Sequence, residues 1–161
     1  MSATDHAAPI GAEGHYRALE RLYASAPVNA KFASSLHIVG EGASRLTFTV
    51  TPEDYHAAGA AHGTIYFKML DDAAFYAANS LVTDRFLLTT GFNLFFSKPV
   101  RAGVVTAEGR WVSGRRRVFV AEARLVDAEG EEIGRGTGTF MRSRMALSSL
   151  PGYAADGPSG L

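Results

Sequence analysis

The sequence contains no cysteine. That excludes a disulfide framework, a thiolate metal site and a cysteine nucleophile, and it is compatible with a reducing compartment. An excess of charge is missing as well. Lys plus Arg and Asp plus Glu each total 16, so the formal net charge is zero, and no global field draws the chain to nucleic acid or to an anionic membrane. Neither partner is expected. No apolar run is long enough to span a bilayer, and the opening MSATDHAAPIGAEGHY has neither the basic start nor the continuous apolar stretch of a secretory signal. Cytoplasm is therefore the expected location. The sequence also lacks a phosphate-binding Gly loop, a Ser-centred nucleophile elbow, and a His/Asp/Glu cluster at helical metal-ligand spacing. No metal and no separate cofactor is expected.

What is present suffices for one domain: 161 residues, 47% of them hydrophobic, can build a single core. Gly, Ala, Ser and Pro are frequent at both ends, so residues 1–13 and 147–161 read as flexible flanks around one domain at 14–146. HYRALERLYASAP places Tyr16, Leu19, Leu22 and Tyr23 at helical spacing and stops at Pro27, which predicts a short amphipathic helix. SLHIV and SRLTFTV alternate like strands about a Gly40-Glu41-Gly42 turn. From His62 to Val82 the chain is rich in Ala and apolar on most sides, the pattern of a buried helix. Four strand segments follow, RFLLTTGFNLFFS, VVTAEGRWVS, RVFVAEARLVD and EIGRGTGTFMRS, joined by short turns that predict an antiparallel meander. The class is α+β, with a sheet wrapped around one long central helix. Gly134, Gly136 and Gly138 leave one face of the last strand bare, which predicts that the helix approaches there.

On that helix the adjacent acids Asp71 and Asp72 point to different faces. Asp72 lines up with Lys68 and Asn79 in a narrow polar stripe and reads as an ion-pair partner. Asp71 falls among Phe67, Ala74, Phe75 and Ala78, where a carboxylate is costly unless it is neutralised, paired or facing a polar cleft. Burial there would raise its pKa toward that of a general base, while Lys68 could hold it down. His62-Gly63-Thr64 opens the helix, where free backbone N–H groups and the helix dipole favour an oxyanion. Gly63 carries no side chain to block a ligand. Asp71 lies two turns further on, about 12 Å in rise, too far to act on the same carbonyl. A site using both groups requires a second subunit.

The segment HGTIYFKMLDDAAFYAANS resembles the helix of hotdog-fold thioesterases of the phenylacetate-pathway (PaaI) type, in which His-Gly-Gly is followed by an acid nine positions after the His. TTGFNLFFSKPVRAG resembles that family's strand ending in an aromatic, a basic residue and Pro, and GRRRVFVAEARLVDAEGEEIGRGTGTFM resembles its last two strands. The resemblance runs from about Leu36 to Met141. It implies a hotdog fold, an acyl-CoA or related thioester of aromatic or short to medium chain as substrate, and a homodimer or dimer of dimers. CoA would be part of that substrate. The resemblance also implies that the Gly63 amide holds the thioester oxygen, that Asp71 of a partner subunit attacks or activates water, and that Thr89 or Thr90 orients that water.

Two positions depart from the family pattern. Thr64 stands where the second Gly is expected, and His56 stands six residues before His62 in place of a polar amide; either change could alter substrate choice or abolish turnover. His56 could bind the thioester, whereas His62 reads as a loop organiser. The basic turn Arg115-Arg116-Arg117 corresponds to an edge that in this family lies near the CoA phosphates, which suit bidentate Arg contacts. Phe67, Phe75, Phe92, Phe95, Phe96 and Trp111 are candidates to line an acyl pocket. Two other activities suit the same fold: an acyl-thioester hydratase or dehydratase pairing His56 with Asp71 or Asp72, and a non-catalytic acyl-CoA-binding protein.

Overall fold

The computed structural model describes residues 10–154. Residues 1–9 and 155–161, the outer parts of both expected flanks, lie outside the described residues. Helix α1 (Ala12–Ser25) ends where Ala26 turns extended ahead of Pro27, since a residue before proline avoids the helical region. Its buried face is His15, Ala18, Leu19 and Tyr23, so the helix is rotated toward His15 relative to the apolar stripe read from the sequence. His15 can be buried because both ring nitrogens are used. Nε2 lies 3.0 Å from the Asn79 carbonyl and Nδ1 2.8 Å from the Tyr153 hydroxyl. A carbonyl only accepts, so Nε2 carries the proton, Nδ1 accepts, and the ring is neutral. Burial accordingly pushes its pKa down.

Strands β1 (Ser34–Gly40) and β2 (Ala43–Val50) form the expected hairpin. The central helix α2 (Gly63–Asn79) follows, then β3 (Arg85–Phe96), β4 (Gly103–Ser113), β5 (Val118–Val126) and β6 (Glu132–Ala146). All six strands make one antiparallel sheet in the order β1-β2-β4-β5-β6-β3, and α2 packs against it. This is the expected α+β wrap around one helix, with one correction. Only β4-β5-β6 is a meander. The short link after β3 does not make β3 and β4 neighbours. It crosses three strand spacings, about 14 Å, which six residues can span, and it passes the start of α2. There Val100 accepts a bond from the Ala61 amide and Lys98 from the Tyr66 hydroxyl at 2.6 Å.

The close approach of helix and sheet also differs from expectation. It is at Gly109 of β4, where a β-carbon would collide with the Ala73 carbonyl of α2; Ser44 of β2 donates to that same carbonyl at 2.5 Å. Gly136 and Gly138 of β6 are instead covered by the Phe92 ring of β3, and only Gly134 meets α2 side chains, those of Tyr66 and Leu70. Phe92 in turn packs edge-on to Phe67 of α2. A bare strand face admits whatever is nearest, and here an aromatic from the adjoining strand arrives first.

Part of the expected C-terminal tail is ordered. Leu147 and Tyr153 are buried, residues 151–154 form the short helix α3 (Pro151–Ala154), and the Tyr153 hydroxyl on His15 ties it to α1. Asn79, expected on the polar stripe of α2, is fully buried. Its side chain donates to the Val82 and Arg85 carbonyls and accepts from the Leu87 amide, so it fixes the entry into β3. Among the described residues no helix is long and apolar enough to cross a membrane.

Candidate active site

Helix α2 carries two separate polar stations. The first is its N-terminus. His62 is the N-cap, with Nδ1 accepting from the Thr64 amide at 3.0 Å and lying 3.0 Å from the Thr64 hydroxyl. The His62 carbonyl takes the Ile65 amide. Gly63, as the first helical residue, keeps an amide with no acceptor inside the helix. His62 and Thr64 thus organise the turn, and the Gly63 amide is left without an acceptor in it. The Phe96 ring leans over it, 3.1 Å from where a β-carbon would stand. Around them a cleft of about 500 Å³ is lined by His56, Ala61, Gly63, Tyr66, Phe96 and Lys98, among others. His56 is held in its own tight turn, Nδ1 accepting from the Ala58 amide at 3.0 Å.

The second station is the middle of α2. Asp71 sits in a different cavity, of about 280 Å³, among Phe75, Tyr76, Phe86 and Leu88. The Thr89 hydroxyl of β3 donates to its Oδ1 at 3.0 Å. Burial pushes the Asp71 carboxyl up to about 6, with the Asp72 charge adding to the rise; the Thr89 hydrogen bond and the Lys68 charge pull the other way. Lys68 does not pair with it. The ammonium donates to Asp72 at 2.5 Å and to Asn29, in the loop after α1, at 2.7 Å, and it lies over the Tyr23 and Phe32 rings. Asp72 is therefore the structural acid, as its place on the helix suggested, and Asp71 keeps a carboxylate bonded only to a hydroxyl. Asn29 was invisible in the sequence because it reaches Lys68 across 39 positions.

The other expected residues divide. Thr89 joins Asp71, but Thr90 does not: at the irregularity between Thr89 and Gly91 its hydroxyl turns to Thr139. Arg115 is committed to Glu41 at 3.1 Å and stacks on Trp111, which takes Trp111 out of any acyl pocket. The Arg116 and Arg117 carbonyls receive Arg142. This turn joins β4 to β5 beside the β1–β2 turn, at the end of α2 opposite Gly63, so within one protomer it is not brought to either station. Asp71 and His56 likewise line separate cavities. Of the aromatics, Phe75 lines the Asp71 cavity and Phe96 the Gly63 cleft. Among the described residues there is no group of three or more His, Cys, Asp or Glu placed to hold a metal ion.

Comparison with known proteins speaks to the fold and to the matched stretch of sequence. A family model described as the thioesterase superfamily matches residues 58–133, the stretch that holds Gly63, Asp71 and Thr89. A Saccharolobus solfataricus protein named provisionally as an esterase is 28% identical over 101 residues, 63% of this chain and 67% of its own. Among solved structures, a thioesterase family protein from Silicibacter pomeroyi is 27% identical with a TM-score of 0.72, covering 82% of this chain and 98% of that one. The Escherichia coli PaaI protein of the phenylacetic acid degradation operon superposes with a TM-score of 0.77 over 84% of this chain and 97% of its own; at 19% identity it speaks to the fold. The chain thus has the hotdog fold, and its residues 58–133 are similar to the thioesterase superfamily.

Proposed function

We propose that the protein hydrolyses an acyl-CoA or related acyl thioester, with Asp71 as general base and the Gly63 amide as oxyanion donor. The observation that carries this reading is Asp71 itself: a carboxylate raised to about 6 by burial, bonded to a hydroxyl and to no cation, in an apolar-walled cavity. A base with that pKa is mostly ionised at neutral pH and still accepts a proton readily. Water gives its proton to Asp71 while its oxygen adds to the thioester carbon. The resulting oxyanion rests on the Gly63 amide at the positive end of α2. When the C–S bond breaks, the proton on Asp71 passes to the departing thiolate, leaving a carboxylic acid product and a free thiol.

Because the two groups stand two turns apart on one helix, each site takes Gly63 from one subunit and Asp71 from another. The edge strand supports the required dimer. Among the described residues β3 pairs only with β6, and its other edge offers unpaired backbone groups along twelve residues. Leu88, Phe95 and Phe96 on it and Phe67 beside it are 49%, 58%, 51% and 42% exposed, an apolar edge that invites a second copy.

The test is thiol release from a panel of aromatic and aliphatic acyl-CoAs by wild type and by Asp71→Asn. Turnover by wild type and its loss in Asp71→Asn, with unchanged oligomeric state, is the expected result. No thiol from any substrate overturns the activity; full activity of the variant overturns the mechanism.

A further inference from the structure

The Asp71 cavity has a neighbour. A second cavity, of about 400 Å³, shares Ala26, Tyr76 and Phe86 with it. Beyond that seam its lining comes from both ends of the domain: Leu22 and Pro27 at the end of α1, Met145 at the end of β6, and Leu150, Pro151 and Gly152 leading into α3. These segments lie outside the family-matched stretch, residues 58–133. The compartment beside the helix carboxylate is therefore built partly from segments beyond the matched stretch.

The chemistry of the walls restricts what fits. In the first cavity the polar cluster of Lys68, Asp72 and Asn29 is satisfied internally, which leaves Asp71 and its Thr89 partner as the polar feature available to a reacting group. In the second, the Ser25 hydroxyl is spent on the Leu22 carbonyl at 2.8 Å, and the Tyr76 hydroxyl is the remaining polar side-chain group. A charged or hydroxylated ligand would find almost no partner there and would lose its hydration. A compact aromatic acyl group would be contained by the first cavity alone. An extended aliphatic chain is the shape that occupies both, and Met145, flexible and unbranched, is suited to close on ends of differing length.

We propose that the second cavity is an acyl-tail site, and that α1 together with residues 145–152 selects thioesters of extended aliphatic acids. The inference rests on the placement of the reacting carbonyl near Asp71, and its test separates the two. Thiol release is measured for wild type, Ala26→Phe, which obstructs the seam, and Met145→Trp, which fills the far end from a half-exposed strand position. Binding of free dodecanoate and butanoate to Asp71→Asn, with and without Met145→Trp, is measured by calorimetry. In wild type, kcat/KM for dodecanoyl-CoA should exceed that for butanoyl-CoA by about tenfold or more, and each substitution should lower that ratio at least about tenfold, the scale of a few methylenes in an apolar pocket. Dodecanoate binding should weaken in parallel. Thiol release with a ratio and a dodecanoate affinity that neither substitution moves would overturn the tail site while leaving the hydrolase standing. Dodecanoate binding that Met145→Trp weakens, without thiol release from any substrate, would support the tail site and overturn the hydrolase. A change of oligomeric state in Met145→Trp, with no change in chain-length preference, would assign the cavity to a second copy of the chain and overturn the proposal.

Discussion

Two walls of α2 separate at adjacent residues, Asp71 and Asp72. On the Asp72 side the helix faces the segment after α1, where Lys68, itself bonded to Asn29 and lying over two aromatic rings, pairs with the carboxylate. On the Asp71 side it faces β3 and an open cavity, where Thr89 supplies one hydrogen bond. Both carboxyls are pushed up by burial, and the Lys68 ammonium pulls Asp72 back. The same side chain thus becomes a strut in one setting and a candidate base in the other, decided by which long-range neighbours arrive. A carboxylate with a cation is a poor proton acceptor; one with only a hydroxyl and a dry wall is a better one.

The largest expected break of that contrast is in turnover. Asp71→Asn should lower kcat by about 10²–10⁴, the usual share of a positioned general base. Asp72→Asn should instead leave kcat within about tenfold of wild type, because its carboxylate is held by Lys68. Steady-state kinetics and thermal melts of both variants at one pH distinguish the two. A kcat loss in Asp72→Asn equal to that in Asp71→Asn would erase the distinction between the walls.

The pH profile follows. With Asp71 acting as a base at about 6, kcat should fall roughly tenfold per pH unit below that value and level off above it. Stability should run the opposite way. The folded pKa lies above the ordinary 3.8, so the folded chain binds the extra proton between the two values, and stability declines as pH rises through that window. Asp71→Asn should therefore be more stable than wild type at pH 8, by about 1–2 kcal/mol once partial exposure is allowed for, and should match it near pH 3.5. Denaturant melts at the two pH values check this.

The smallest effect sharpens the comparison most. Thr89 lowers the Asp71 pKa and Asp72 raises it. Thr89→Val should thus move the acidic limb of the rate profile up, by under about one unit, and Asp72→Asn should move it down. Shifts of the same sign in both variants would show that the limb does not belong to Asp71.

Much of this was legible in the chain. Composition and alternation gave the α+β class, the hairpin and the buried helix, because periodicity is a local property. The separation of Asp71 from Asp72 followed from helix geometry alone, and so did the distance between Asp71 and Gly63. A short link predicts neighbouring strands but only bounds how far apart two strand ends lie, and the three-strand span between β3 and β4 satisfies that bound. The glycines of β6 were correctly seen as a bare face, but the Phe92 ring that covers it comes from β3 and left no local trace. Thr90 was not separable from Thr89, since a register irregularity turns one hydroxyl inward and the other toward β6. His15 carries no local sign of its role, because its two partners are 64 and 138 positions away.

The sequence by itself determined the elements, the polar opening of α2 and the two acids on its different faces, since these depend on neighbours within a few residues. Tertiary structure alone decided which acid Lys68 pairs with, that Lys68 also turns to Asn29, that Gly109 is where the helix meets the sheet, and that α1 and residues 145–152 meet beside the Asp71 cavity. Those outcomes depend on contacts between positions far apart in the chain, and burial, which sets the charge of Asp71, exists only once the whole fold has closed around it.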